Sequence, residues 1–343
     1  MCGGIIIQGE IIVGVFKKSS VGLEIDSKEI RAVHVTGKPE RPYLCTFARF
    51  PLNEGIVKDG KVLKENELGV ALSTMWAREN IKCRDVILGV NNQDIIVRFA
   101  NFIKVPKDKL DNLIRFQAQE HIPIPIEEVE LDYTVIREES NDEGTFLKIL
   151  LVAGKKRMLF DFIASFKAAK LNIVDIGASM LSVTRLVPKG IYDLPVAVVN
   201  LSNDFGNIII LNNGEIGMAR TINYNKDIVS IVKELNENKF EFGYTIENSL
   251  LDSICATLAD EIRSSVLYYQ NQNSNTIFRD IILTGNLARI KNLTERLKQL
   301  INANVMIVSQ KESGINLTGL NLASYQEPDY AICTNLAIRG LEV

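Results

Sequence analysis

The 343-residue sequence predicts an α/β fold built twice from the same succession of elements. Three observations lead there. Strand meanders open at Val21 and again at Asp193, each followed by alternating helix and strand. The second meander carries Asn213-Gly214, a strong hairpin signal, because a type I′ turn needs positive φ at both central residues. The chain is also longer than one growing hydrophobic core accommodates, so two or more lobes are expected. With 46% hydrophobic and 24% charged residues, it has the composition of a globular protein.

Taken in order, VGLEIDSKEIRAVHV (Val21 to Val35) reads as strand, tight turn at Asp26 to Glu29, and strand, and RPYLCTFARFPL (Arg41 to Leu52) adds a third strand. Leu68, Leu72, Met75 and Trp76 recur at helical spacing between Glu65 and Glu79. DVILGV (Asp85 to Val90) and IIVRFANFIKVP (ending at Pro106) are strands, and Lys107 to Glu120 is an amphipathic helix. Pro123 and Pro125 then break the helix, since proline lacks the amide hydrogen and restricts the residue before it. Thr134 to Glu138 and Phe146 to Ala153 pair as strands, Lys155 to Ala169 is helix, LNIVDIGA is strand and SMLSVTRLV helix. After the second meander, Asp227 to Lys239 and Ser249 to Gln270 are helices, and DIILTGN is a buried strand ending in a glycine turn. Leu287 to Ile301 is helix, NANVMIVS strand, and Tyr330 to Gly340 a closing helix.

Composition excludes several functions. The 39 basic and 42 acidic residues, net −3, are dispersed, without the basic concentration that phosphate backbones require, so nucleic acid is not an expected partner. Cys2, Cys45, Cys83, Cys255 and Cys333 never form a CxxC pair and suit reduced thiols in a cytosol. Only His34 and His121 are present, which argues against a His-based zinc site or triad. No run of about 20 apolar residues spans a bilayer, so membrane contact is expected through partners. The apolar start MCGGIIIQGEIIVGVFKK carries its positive charge after the apolar stretch, unlike a signal peptide; residues 1–14 read as an N-terminal extension.

RFQAQEHIPIPIEEVELDYTVI (Arg115 to Ile136) resembles the stretch of the PilM family in which a helix ends in Glu-x-x-Ile-Pro-x-Pro and runs into a Leu-Asp-Tyr strand. ILLVAGKKRML (Ile149 to Leu159), AAKLNIVDIGASMLSVTRL (Ala168 to Leu186), LADEIRSSVLYYQNQ (Leu258 to Gln272) and IILTGNLARIKNLTERL follow in the family's order. The resemblance covers about Val15 to the C-terminus. It implies an α/β, actin-like (ribonuclease H-like) duplicated fold with an FtsA-type inserted small subdomain. By analogy, residues 15–93 and 176–192 make the first lobe, 94–175 the insert and 193–343 the second lobe.

Relatives of this kind hold ATP and Mg²⁺ between lobes on glycine-bearing turns, because only glycine lets backbone N–H groups approach phosphate so closely. Where the family has approximately Gly-Leu-Asp-Ile-Gly-Ser, this chain has Gly22, Leu23, Glu24, Ile25, Asp26 and Ser27. Glu24 is the candidate magnesium-side carboxylate, Asp26 puts negative charge where glycine should meet phosphate, and Lys28 is the candidate compensation. The family's Asp-Ile-Gly-Ala becomes Asn200, Leu201, Ser202 and Asn203, with Asp204 adding charge and Gly206 displaced. Of the glycine run against adenosine only Gly285 remains, before Asn286; Glu261, Ser264, Ser265 and Tyr268 share a helix face that such relatives turn to the nucleotide. The degenerate turns predict loss of tight nucleotide binding and no ATPase activity.

As for partners, the resemblance implies a cytoplasmic adaptor, peripheral at the inner face of the membrane, that grips the N-terminal tail of a PilN-like membrane protein beside the insert and relays to pilus motor ATPases. Gln119, Ile122, Pro123, Ile124, Pro125, Ile126, Asp132 and Tyr133 are the candidate partner-binding residues. The isoleucines read equally as core of the insert, and Glu127, Glu128 and Glu130 as a solvated face. A nucleotide-switched member of the family, a small-molecule kinase of the same fold and a homo-oligomer stay open as alternatives.

Overall fold

The computed structural model describes residues 18–142, 144–187, 194–237, 245–273, 278, 280–309, 317–319 and 325–343. The expected extension over 1–14 and the end of the first lobe at 188–192 lie outside them.

The first meander forms as expected: β1 (Ser19–Ile25), β2 (Glu29–Lys38) and β3 (Arg41–Pro51) pair antiparallel in sequence. A short ribbon, β4 (Val57–Lys58) with β5 (Lys61–Val62), turns at Asp59 and Gly60, which have φ of 49° and 67°. The helix α1 (Glu65–Arg78) then crosses to β6 (Asp85–Val90), which lies parallel beside β1. Strand alternation decides which face each side chain takes. Val21, Leu23, Ile25, Ile30 and Ala32 meet Leu68, Leu72, Met75 and Trp76 of α1 in one core.

Between β6 and the rest of this sheet the chain builds a separate antiparallel sheet from β7 (Ile95–Ile103), β8 (Val129–Asn141) and β9 (Gly144–Lys155), in the order β7-β9-β8. The helix α2 (Lys107–Gln117) covers it, with Leu110 and Ile114 packed on Phe102, Ile149 and Leu151. The following α3 (Lys156–Ala168) and β10 (Asn172–Ala178) return to the first sheet. Met158, Phe162 and Phe166, spaced by fours, join the core under α1. The three-stranded unit therefore ends at Lys155, short of the 94–175 expected for the insert. A one-turn helix, α4 (Ser179–Ser182), passes into a tighter turn over Val183–Leu186 where one continuous helix was expected.

The second lobe repeats the plan. β11 (Val196–Leu201), β12 (Gly206–Asn212) and β13 (Glu215–Ile222) form a meander turning at Asn213 and Gly214, with φ of 51° and 78°. After α5 (Lys226–Glu237) and α6 (Asn248–Gln272), β14 (Asp280–Thr284) lies parallel beside β11. The expected helix from Leu287 is divided: a turn over Asn286–Arg289 precedes α7 (Leu293–Ile301), because Asn292 adopts the left-handed conformation with φ of 65°. β15 (Asn304–Ile307) closes the sheet. The order β13-β12-β11-β14-β15 matches β3-β2-β1-β6-β10 in the first lobe.

The chain then crosses back. β16 (Thr318–Gly319) pairs with β3, and α8 (Glu327–Glu342) lies on the face of the first sheet opposite α1. Contact there is close: a Cβ on Gly22 would stand 1.9 Å from the Cys333 carbonyl oxygen. The last helix thus packs with the first lobe, unlike the expected 193–343 division, because Gly22 and Gly89 leave a flat strip for its backbone.

Candidate functional site

The β1–β2 and β11–β12 turns face each other across the cleft between the lobes. Asp26 begins the first turn, and its Oδ1 accepts the Lys28 and Glu29 amides at 2.9 and 3.0 Å. This is the local capping geometry that places Asp at such tips. Its other oxygen accepts Arg31 Nη2 at 3.1 Å and, from the opposite lobe, Asn203 Nδ2 at 2.9 Å.

Asp204, in the second turn, reaches the other way. Its Oδ2 accepts the Ser27 amide at 2.9 Å and the Gly60 amide at 2.9 Å, while Oδ1 accepts the Ser27 hydroxyl. Burial and the neighbouring Asp26 carboxylate push Asp204 up to about 6. Asn286 Nδ2 donates to Asn203 Oδ1 at 2.6 Å, and Asn207 Nδ2 to Asn91 Oδ1 at 3.1 Å. Asn200 Nδ2 donates to Ser202 Oγ at 2.9 Å and Tyr224 Oη to the Ser202 carbonyl, so the second turn is braced within its own lobe.

Below the turns lies a buried ionic network on the α8 face of the first sheet. Arg31, 2% exposed, stands 3.7 Å from Glu24, 3.1 Å from Asp26 and 3.7 Å from Glu29. Arg49 bridges Glu29 at 2.8 Å to Asp329 of α8 at 2.9 Å, and Arg289 of the second lobe reaches the same Asp329 oxygen at 2.6 Å. Burial raises Glu24 above the usual carboxylate range and pushes Glu29 up to about 7, with the guanidinium groups opposing.

These contacts revise the expected nucleotide residues one by one. Glu24, the expected magnesium-side carboxylate, stands 3.7 Å from the Arg31 guanidinium. The charge that compensates Asp26 is that of Arg31, while Lys28 contributes its backbone amide. Gly206 starts β12 against Ile222 and Tyr224. Glu261 pairs with Arg220 of β13, Ser265 is buried, and Tyr268 is exposed. Gly285, with φ of 88°, passes close under Leu201 and next to Asn200, so its freedom serves contact within the lobe. A nucleotide phosphate at the first turn would meet Asp26 and Asp204 on the donors it needs.

Sequence reasoning missed Arg31, Gly60, Arg289 and Asp329. Arg31 had a signal: Glu29 and Arg31 alternate on one face of an otherwise apolar strand. Gly60 had none, since its role depends on a side chain 144 residues away.

The candidate partner residues divide between core and surface. Ile122 is buried among Phe102, Ile114 and Leu131, with Ile124, Ile126 and Tyr133 half-buried against the same core. Gln119 accepts the Ile126 amide at 3.1 Å and donates to the Ile124 carbonyl, stapling the loop to the helix end. Pro123, Pro125 and Asp132 are exposed, and Asp132 accepts the Tyr133 amide. The strip is therefore core at Ile122 and half-covered at Ile124 and Ile126, with the two prolines turned to solvent.

The sequence model of the family described as type IV pilus assembly protein PilM matches residues 22–341. Among solved structures, the chain is similar to a PilM-PilN type IV pilus biogenesis complex, with TM-score 0.78 and 21% identity over 94% of this chain and 99% of that one. It is also similar to ethanolamine utilization protein EutJ from Carboxydothermus hydrogenoformans, with TM-score 0.49 and 12% identity over 94% and 90% of the two chains. A Bacteroides thetaiotaomicron protein with an actin-like ATPase fold follows at TM-score 0.45 and 10% identity, over 87% and 94%.

Proposed function

The chain belongs to the PilM family of type IV pilus assembly proteins and has its actin-like fold, and from this we propose an adaptor that binds the N-terminal tail of a PilN-like membrane protein without holding nucleotide tightly. The family match over nearly the whole described fold carries the pilus role. No helix among the described residues is long and apolar enough to cross a membrane; docking at the cytoplasmic face through such a partner is part of the proposal.

The finer claim about nucleotide is supported by the donors of the first turn, which Asp26 and Asp204 engage. A carboxylate about 4 Å from a phosphate charge opposes it by about 1 kcal/mol in water and about 4 kcal/mol at an effective dielectric near 20. We further propose that the insert be taken as 95–155, with α3, β10 and α8 assigned to the first lobe.

Two experiments test these points separately. Titration of the full chain with a fluorescent ATP analogue and magnesium is expected to show no saturation in the micromolar range; micromolar binding would sink the nucleotide claim. A synthetic peptide from the N-terminus of a PilN-like protein of the same organism is expected to bind. Its affinity should fall on substituting the exposed Pro123, Pro125 or Asp132. An unmeasurable affinity for the intact chain would count against the adaptor.

A further inference from the structure

We infer that Asp204 is a built-in substitute for a phosphate ligand: its carboxylate, carried by the second lobe, occupies the converging donors of the first lobe and bridges the two. This deepens the reading of the cleft as one that does not hold nucleotide tightly.

The geometry is that of an oxyanion site already filled. Three donors converge on one carboxylate: the Ser27 amide, the Ser27 hydroxyl and the Gly60 amide. They come from two turns of the first lobe, and the carboxylate comes from the second lobe. Backbone amides gathered at successive turns are how proteins bind small oxyanions. Gly60 has φ of 67°, a conformation that favours glycine, and a Cβ there would stand 2.4 Å from the Asn91 carbonyl oxygen. The position is therefore built to bring that amide to bear.

Neighbouring contacts show that the bridge is part of a closed surface. Asn203, beside Asp204, donates to Asp26, and Asn92 Nδ2 donates to the Gly60 carbonyl at 2.7 Å, fixing the turn that carries the second amide. Ser27 can donate its hydroxyl proton to the carboxylate or accept one from the carboxylic acid, so the bridge keeps its hydrogen bonds as Asp204 titrates. Here the bridging anion is covalently part of the chain, and its effective concentration at the first turn is set by the fold.

Hydrogen exchange on the full chain at pH 7.5, resolved to the Ser27 and Gly60 amides, tests this. Asp204→Ala is expected to speed exchange at both amides by about tenfold or more, since charge-assisted hydrogen bonds are lost. Inorganic phosphate added to that variant is expected to slow both amides again, and to leave the wild type unchanged. Unaltered exchange in the variant, or no protection by phosphate, overturns the inference. Should Asp204→Ala not fold, the isosteric Asp204→Asn decides: its carbonyl oxygen can still accept both amides and its amide group can donate to Ser27 Oγ, so only the anionic charge is lost; faster exchange at both amides, by less than in Asp204→Ala, is expected, and wild-type rates at both overturn it. Nucleotide binding by the wild type is read in a different titration, so failure of one claim is distinguishable from failure of the other.

Discussion

Arg31 shows how much one buried side chain decides in this protein. Its guanidinium is the cation shared by Glu24, Asp26 and Glu29, so Arg31→Met would leave three buried carboxylates facing one another. Breaking a buried pair from one side costs about 3–5 kcal/mol. Urea unfolding should therefore show a lower midpoint by that amount of stability, with m unchanged. The pH dependence follows from Glu29 and Asp204, which burial pushes up to about 7 and about 6. Both hold protons more firmly folded than unfolded, where carboxylates titrate near pH 4. Their contribution is fully present below about pH 4 and is lost as pH rises through about 6 for Asp204 and about 7 for Glu29. A Tm lower at pH 8 than at pH 5, by roughly 4 °C or more, is expected, and Asp204→Asn should reduce the difference. A Tm that rises over this range would contradict these shifts.

Elements were legible where periodicity was local. Leu68, Leu72, Met75 and Trp76 marked α1, and Asn213-Gly214 marked the β12–β13 turn, because both signals depend on neighbours within a few residues. Placement of α3 and α8 was not legible, since an amphipathic helix does not specify which of two sheets receives it. Glycine supplies the missing instruction for α8. Gly22→Ala would drive a methyl group into the Cys333 carbonyl, and overpacking of this kind costs about 1–3 kcal/mol or more. Thermal unfolding followed by circular dichroism should register the loss, whereas Gly55→Ala, with open space around it and only backbone strain at φ of 80°, should cost less. In the insert, Gln119→Ala removes the staple of the proline loop and is expected to cost about 1 kcal/mol. Peptide affinity should fall with it if the loop shapes the partner site.

At the scale of the molecule, the two lobes repeat one sheet order and meet through side chains: Asp204 with Ser27 and Gly60, Asn203 with Asp26, and Arg289 with Asp329 of α8. The sequence by itself determined the duplicated α/β plan, the family and the departure of both turns from the glycine pattern, because each is written in local spacing and residue type. Tertiary structure alone decided that the Arg31 guanidinium stands beside Glu24. It also decided that Ile122 is core and that the carboxylate of Asp204 lands on the Ser27 and Gly60 amides. The reason is physical: a charge or a donor acquires its role from what stands within about 3 Å of it. For residues 27, 60 and 204 that neighbourhood exists only after the lobes close.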